Sequence, residues 1–271
     1  GTELHSIQRK KQPKVHVALA FPDVYEVGMS HLGIKILYHI ANKDPNYWAE
    51  RVFAPWPDME AILNEEKIPL MTLESSTPLG KLDLVGFTLQ YELSYSNILR
   101  MLRLASIPIR SKDRKSGPLV IAGGPCAFNP EPLAPFFDAF VLGDGEEVFL
   151  QILEILEQEP DREKRLQAIA KLPGVYVPSD YEIEYKQDST IAKITPEKKV
   201  KKAIIKDLDA ADYPTSPIVP YLQTIHDRVN VEVFRGCLRG CRFCQAGMLY
   251  RPTRERSKEE IKRLVLETLK N

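Results

Sequence analysis

Short apolar runs alternate with amphipathic stretches along the first half of the chain. Runs of strand length stand at Val15 to Phe21, Leu82 to Leu89, Leu119 to Ala122 and Ala139 to Leu142, with a weaker one at Arg51 to Ala54. Between them, apolar residues recur at helical spacing across Met29 to Ala41, Asp58 to Lys67, Ser94 to Ala105 and Glu146 to Glu157. Strand and helix in alternation favour a parallel sheet covered on both faces. The expected fold is α/β, with a doubly wound flavodoxin-like or Rossmann-like parallel-sheet domain over residues 1–157.

The pattern then changes. A polar helix at Asp161 to Leu172 precedes short strands at Gly174 to Pro178, Tyr181 to Tyr185 and Ile191 to Ile194, with a further strand at Val200 to Lys206. These predict a small α+β connector over 158–220, ending in the proline-rich stretch Asp212 to Pro220, which reads as an extended linker. In the last segment, 221–271, the apolar run Val229 to Phe234 leads to a loop. Ser257 and Glu260 then form a capping-box pattern, and Ile261, Leu264, Val265 and Leu269 mark a helix.

Charge changes the picture little. Lys plus Arg and Asp plus Glu both number 37, so bulk electrostatics give no case for nucleic acid or a membrane. The basic run Lys198, Lys199, Lys201, Lys202 and Lys206 reads as a solvated face. No apolar stretch approaches the roughly 20 residues of a membrane helix, and the N-terminus lacks a signal-peptide pattern. Four cysteines are too few for a disulfide scaffold, so a cytoplasmic location is expected.

Three of those cysteines, Cys237, Cys241 and Cys244, share one C-x3-C-x2-C loop. Thiolates are soft donors that suit iron-sulfur clusters or zinc. Three ligands on a four-iron cluster leave one iron open to a small molecule. Zinc would take His226 or Cys126 as a fourth ligand, although paired C-x2-C knuckles are the commoner zinc arrangement.

The spacing, the aromatic Phe243 before the third cysteine and the preceding apolar run resemble the start of a radical S-adenosylmethionine (radical SAM) enzyme. The resemblance implies that Cys237, Cys241 and Cys244 hold a [4Fe-4S] cluster. It also implies that the open iron chelates S-adenosylmethionine, and that the Phe243 backbone lies near the adenine. Residues 221–271 would then be the first βα unit of a radical SAM barrel. Such a barrel needs about six units, so the chain is expected to be the N-terminal part of a longer enzyme. The expected partners are a substrate not identified by sequence and an electron donor such as flavodoxin or ferredoxin.

The loops after the first-half strands resemble the cobalamin-binding domain that precedes many radical SAM barrels. That motif appears as Asp23-x-Tyr25-x-x-Gly28, then Thr88-Leu89-Gln90, then Gly123-Gly124, with tyrosine where the cobalt-ligating histidine usually stands. The resemblance therefore implies a cobalamin pocket at Asp23, Tyr25, Gly28, Thr88, Gly123 and Gly124, without the usual axial ligand. His31 follows in the first helical turn and reads as a helix-surface residue.

In Gly143-Asp144-Gly145-Glu146-Glu147, the acidic pair suits a helix N-terminus, and related proteins carry a similar segment. Radical SAM methylthiotransferases have three further cysteines in their N-terminal domain. This chain has only Cys126 there, which reads as a small buried residue. Arg251, Arg254 and Arg256 are expected to be exposed or paired with Glu255, Glu259 and Glu260.

The expected function is reductive cleavage of S-adenosylmethionine, with methyl or alkyl transfer as the leading class if cobalamin binds. An alternative is a non-catalytic, zinc-containing module that binds RNA or protein. An ordinary flavin or nucleotide oxidoreductase fits less well, because the first loop lacks a compact glycine-rich turn.

Overall fold

The computed structural model describes residues 3–7, 10, 12–197, 199–226 and 228–270, so Lys198 of the basic run lies outside the described residues. The first elements are β1 (Glu3–Leu4), β2 (Val15–Phe21), α1 (Tyr25–Gly28), α2 (Leu32–Lys43), β3 (Tyr47–Phe53) and α3 (Pro57–Glu65). They continue with β4 (Leu84–Thr88), α4 (Tyr95–Leu104), β5 (Leu119–Gly123), β6 (Ala139–Val141), α5 (Glu146–Gln158), α6 (Arg162–Ile169) and β7 (Val175–Tyr176). Then come β8 (Glu182–Tyr185), β9 (Ile191–Thr195), β10 (Val219–Pro220), β11 (Phe234–Arg235), α7 (Ala246–Leu249), β12 (Arg254–Glu255) and α8 (Lys258–Thr268).

The main sheet runs β3-β2-β4-β5-β6-β7, with every pair parallel except β6 with β7. Its five parallel strands take the order 2-1-3-4-5 of flavodoxin-like sheets, whose topological switch point lies between the first and third strands. Here those are β2 and β4. Alternate residues of β2 serve opposite faces: Val15, Val17, Leu19 and Phe21 join α2 and α5 in one core, and Ala18 and Ala20 join α3 and α4 in the other. Burial on both faces explains why the parallel strands read as continuous apolar runs.

The strand β3 lies at the sheet edge, yet all of its residues are buried. A loop covers that edge: Leu73 N donates to Arg51 O at 2.8 Å, and the Arg51 and Ser75 amides donate to the carboxylates of Glu74 and Glu50. Such covering removes an open row of backbone groups. Gly28 ends α1 against the rings of Phe53 and Phe21, where an added Cβ would fall 2.3 Å from Phe53 Cε1.

Several expectations change. The short β7 adds antiparallel to β6, so the sheet draws a strand from beyond residue 157. The run Val200 to Lys206 makes no strand among the named ones; only Ala203 bridges, in parallel fashion, to Gly143. The proline-rich stretch is a packed strap, not a free linker. Tyr213 and Ile218 are buried in the core, Tyr213 Oη donates to Asn230 O at 2.7 Å, and β10 pairs with β1.

The apolar run at Val229 to Phe234 yields only β11, which pairs antiparallel with β12. The capping box is half formed. Ser257 Oγ accepts from Glu260 N at 3.1 Å, but the Glu260 carboxylate turns to Arg263, and Ser257 N finds Asp209 instead. In α8, Leu264 reaches the core while Leu266 and Leu269 stay exposed. Among the described residues no helix is long and apolar enough to cross a membrane.

Candidate functional site

A cavity of about 450 Å³ opens at the carboxyl ends of β2, β4, β5 and β6, over the switch point. Its volume is in the range of small-molecule and cofactor pockets. The deep wall is apolar, built by Leu19, Ile34, Leu37, Ile121, Phe149 and Ile152 from the strands and from α2 and α5. Its mouth is polar, with Asp144, Glu146, Glu232 and Arg235. Gly236 and Tyr250, which flank the three-cysteine loop, also line it, so the loop stands at the cavity rim.

Of the six residues that the resemblance implies for a cobalamin pocket, Thr88, Gly123 and Gly124 line this cavity. A Cβ on Gly123 would meet only Val141 O, at 3.8 Å, and one on Gly145 only Leu37 Cδ2, at 3.8 Å. Both glycines therefore leave space for a bound molecule. Asp23, Tyr25 and Gly28 lie outside the lining. Asp23 accepts from Val24 N and from Tyr91 Oη at 2.6 Å. Tyr25 Oη donates to Glu3 Oε1 at 2.6 Å, and its pKa is raised by burial and by that carboxylate. The tyrosine that stands in for the motif histidine is thus turned into a separate buried network.

His31 lines the cavity and is not the plain surface residue expected. It caps α2: Nδ1 accepts from Ile34 N at 3.3 Å, which places the ring proton on Nε2. Burial lowers its pKa, opposed by a hydrogen bond to Gln90. Ligating a metal through Nε2 would require moving that proton to Nδ1 and giving up the cap.

The three loop cysteines are free thiols, Cys237 and Cys244 half-buried and Cys241 exposed. Cys244 N donates to Cys241 O at 3.1 Å, which turns the chain between the last two. Among the described residues no three His, Cys, Asp or Glu side chains converge as a metal-holding group. The donor set itself fits a thiolate-bound cluster: three unpaired thiols in an accessible loop. Phe243 is 92% exposed at the loop tip. Cys126 is buried, as expected, beside Tyr95 and Glu92; burial pushes its thiol pKa up, and Tyr95 is pushed up to about 12 by burial and by that thiol.

Charged groups gather at the rim, among them Glu232 and Arg235, which the sequence reading did not single out. Arg235 meets Asp144 at 3.2 Å, Glu232 at 2.7 Å and also Glu146. Burial works against its charge, but Glu232 and Glu146 outweigh this and raise its pKa. Arg254 pairs with Asp144, and the buried Arg256 with Glu232 at 3.0 Å. Neither takes the neighbouring glutamates expected from sequence, whereas Arg251 is exposed. Glu146 therefore does more than complement the α5 dipole. Lys202 donates to Leu249 O at 2.7 Å, so the basic run is only partly a solvated face.

Residues 33–178 match the family described as radical SAM proteins, N-terminal. An uncharacterized protein of Methanocaldococcus jannaschii is 28% identical over 261 residues, covering 94% of this chain and 46% of that protein. The chain thus spans less than half the length of that relative. The structure of OxsB, a cobalamin-dependent S-adenosylmethionine radical enzyme with aqua-cobalamin and S-adenosylmethionine bound, superposes with a TM-score of 0.57 at 15% identity. That match covers 96% of this chain and 32% of OxsB. The radical S-adenosylmethionine methyltransferase TsrM from Kitasatospora setae, with cobalamin and a [4Fe-4S] cluster bound, gives a TM-score of 0.50 at 14% identity, covering 92% of this chain and 45% of TsrM. At such identities the likeness bears on fold. With the family match spanning more than half of its residues, the chain belongs to the radical SAM proteins, through their N-terminal region.

Proposed function

We propose that this chain is the corrinoid-binding and cluster-binding part of a cobalamin-dependent radical SAM enzyme whose reaction class is methyl or alkyl transfer. The observation that carries the reading is the placement of the three-cysteine loop at the rim of an apolar cavity over the switch point. In this reading Cys237, Cys241 and Cys244 hold a [4Fe-4S] cluster and the Phe243 backbone meets the adenine of S-adenosylmethionine. The bound cluster supplies the electron that cleaves S-adenosylmethionine, drawn in turn from a donor such as flavodoxin or ferredoxin.

Thr88, Gly123 and Gly124 would face a corrinoid in the cavity, with the apolar wall excluding water from its buried part. Neither Tyr25, held by Glu3, nor His31, held as a cap, is free to serve as an axial ligand. A corrinoid in this cavity would be held by Thr88, the two glycines and the apolar wall, and not by Tyr25 or His31 as they stand.

The test is metal and corrinoid content on protein purified without oxygen. Iron and acid-labile sulfide at about four each per chain, lost in Cys237→Ala, are expected for the cluster. One zinc and no sulfide would overturn it in favour of a zinc module. Separately, the absorbance change on adding hydroxocobalamin should saturate in the wild type and weaken at least about tenfold in Gly123→Leu, which fills the cavity. Equal binding by both proteins would remove the corrinoid from this cavity.

A further inference from the structure

The base of the three-cysteine loop is the β11–β12 ladder, in which Arg235 stands opposite Arg254. Above it the two legs press together: a Cβ on Gly236 would fall 2.7 Å from Thr253 Cα and 2.8 Å from Tyr250 O. Both stem arginines turn to one carboxylate. Asp144, in the turn after β6, receives Arg235 Nη1 on Oδ1 at 3.2 Å and Arg254 Nη1 on Oδ2, where Ile205 N also donates at 2.8 Å. Asp144, Glu146, Glu232, Arg235 and Gly236 are at the same time walls of the cavity. The rim set of Asp144, Glu146 and Glu232 against Arg235, Arg254 and Arg256 is balanced in charge, with each of these six side chains no more than 14% exposed.

We propose that Asp144 is a positioning residue: it docks the three-cysteine loop onto the cavity wall by gripping both legs of the loop stem. A carboxylate shared by two guanidiniums fixes orientation better than a single exposed pair, because each pairing restrains the other. Since the grip is part of the cavity wall, order in the loop and occupancy of the cavity are linked, and each strengthens the other. The docking stands on this geometry alone; only the cluster measurement below rests on the radical SAM reading.

The first measurement is the rate at which a maleimide labels Cys237 and Cys244 in the metal-free, reduced protein. Asp144→Asn keeps an acceptor for Ile205 N but loses the charge, and is expected to raise both rates about tenfold. Glu147→Gln, one turn on and exposed, should leave them unchanged. Wild-type rates in Asp144→Asn would overturn the proposal. Should Asp144→Asn fail to fold, Arg254→Gln breaks the same grip from the loop side, with the same expectation and the same overturning result.

The second measurement is the midpoint potential of the reconstituted cluster, followed by electron paramagnetic resonance. Removing one negative charge from the balanced rim leaves positive charge beside the cysteine loop and favours the reduced cluster, so the potential should rise in Asp144→Asn and not in Glu147→Gln. An unchanged potential would remove Asp144 from the neighbourhood of the cluster. If the wild type takes up no iron while labelling still depends on Asp144, the radical reading fails and the docking stands.

Discussion

Replacing Arg51 by methionine is expected to lower the free energy of unfolding by about 3–5 kcal/mol, the cost of leaving buried carboxylates without their cation. The Arg51 side chain is 1% exposed and lies between Glu3, in β1, and Glu74, in the loop that covers β3. Its Nε donates to Glu74 Oε1 at 2.7 Å, its Nη1 to Glu3 Oε1 at 3.0 Å, and the guanidinium lies over the Tyr38 ring at 5.3 Å. Burial opposes the arginine charge, yet the two carboxylates outweigh it and raise its pKa. Urea denaturation should show a lower midpoint with an unchanged slope. Adding Glu3→Gln and Glu74→Gln should recover much of the loss, and a single-variant cost under about 1 kcal/mol would mean that the network contributes little.

The same site sets a pH dependence. Burial favours the protonated form of Glu3, but Arg51 outweighs it and holds the pKa below 4.5. A lowered carboxyl pKa stabilises the fold above 4.5, and that contribution disappears as pH falls through the folded value. At the more deeply buried Glu74, burial wins and the pKa is raised, so its contribution has the opposite sign and is lost as pH rises. Stability at acid pH should therefore fall less steeply in Arg51→Met, because Glu3 is no longer held low.

Gly143→Ala is expected to cost about 3 kcal/mol, from a backbone conformation that side chains rarely adopt and from broken hydrogen bonds. Gly143 has φ +101°, and a Cβ there would fall 2.1 Å from Ala203 O and 2.8 Å from Ala203 N. Those atoms are backbone and already engaged: Ala203 N donates to Leu142 O at 2.8 Å, and Ala203 O accepts from Asp144 N at 3.0 Å. No side-chain rotation relieves the collision, so the segment around Ala203 must lift away from β6. Hydrogen exchange at the Ala203 and Asp144 amides should speed up together with the loss of stability. Protection equal to the wild type would show that the two segments are less tightly joined than their contacts indicate.

The parallel strands were legible because each is buried on both faces, and the glycines at their ends marked Gly123 and Gly124 as cavity wall. The start of β3 was not. Its sequence Tyr47-Trp48-Ala49-Glu50-Arg51 carries two charges in a buried strand, and their partners His16, Ser75, Glu3 and Glu74 are distant in sequence. The first-loop motif kept its frame, but Asp23 and Tyr25 spend their polar groups on Tyr91 and Glu3. Arg254 and Arg256 looked like members of a local charge cluster, yet they reach Asp144 and Glu232 because the hairpin stem folds back onto the sheet. The strand at β7 falls within the expected Gly174 to Pro178, but two residues carry too little pattern to show that it would pair with β6 and extend the main sheet.

The pairing of β1 with β10, Glu3 opposite Pro220 and Leu4 opposite Val219, brings the chain into and out of the sheet unit at one point. The segment that follows Pro220 therefore sets out from beside β1 and returns to the sheet ends, where Glu232, Arg235 and Tyr250 complete the cavity wall and Leu264 enters the core. The cavity is thus walled by residues from both ends of the chain's course, and it is complete only once the stretch after Pro220 has docked against Asp144.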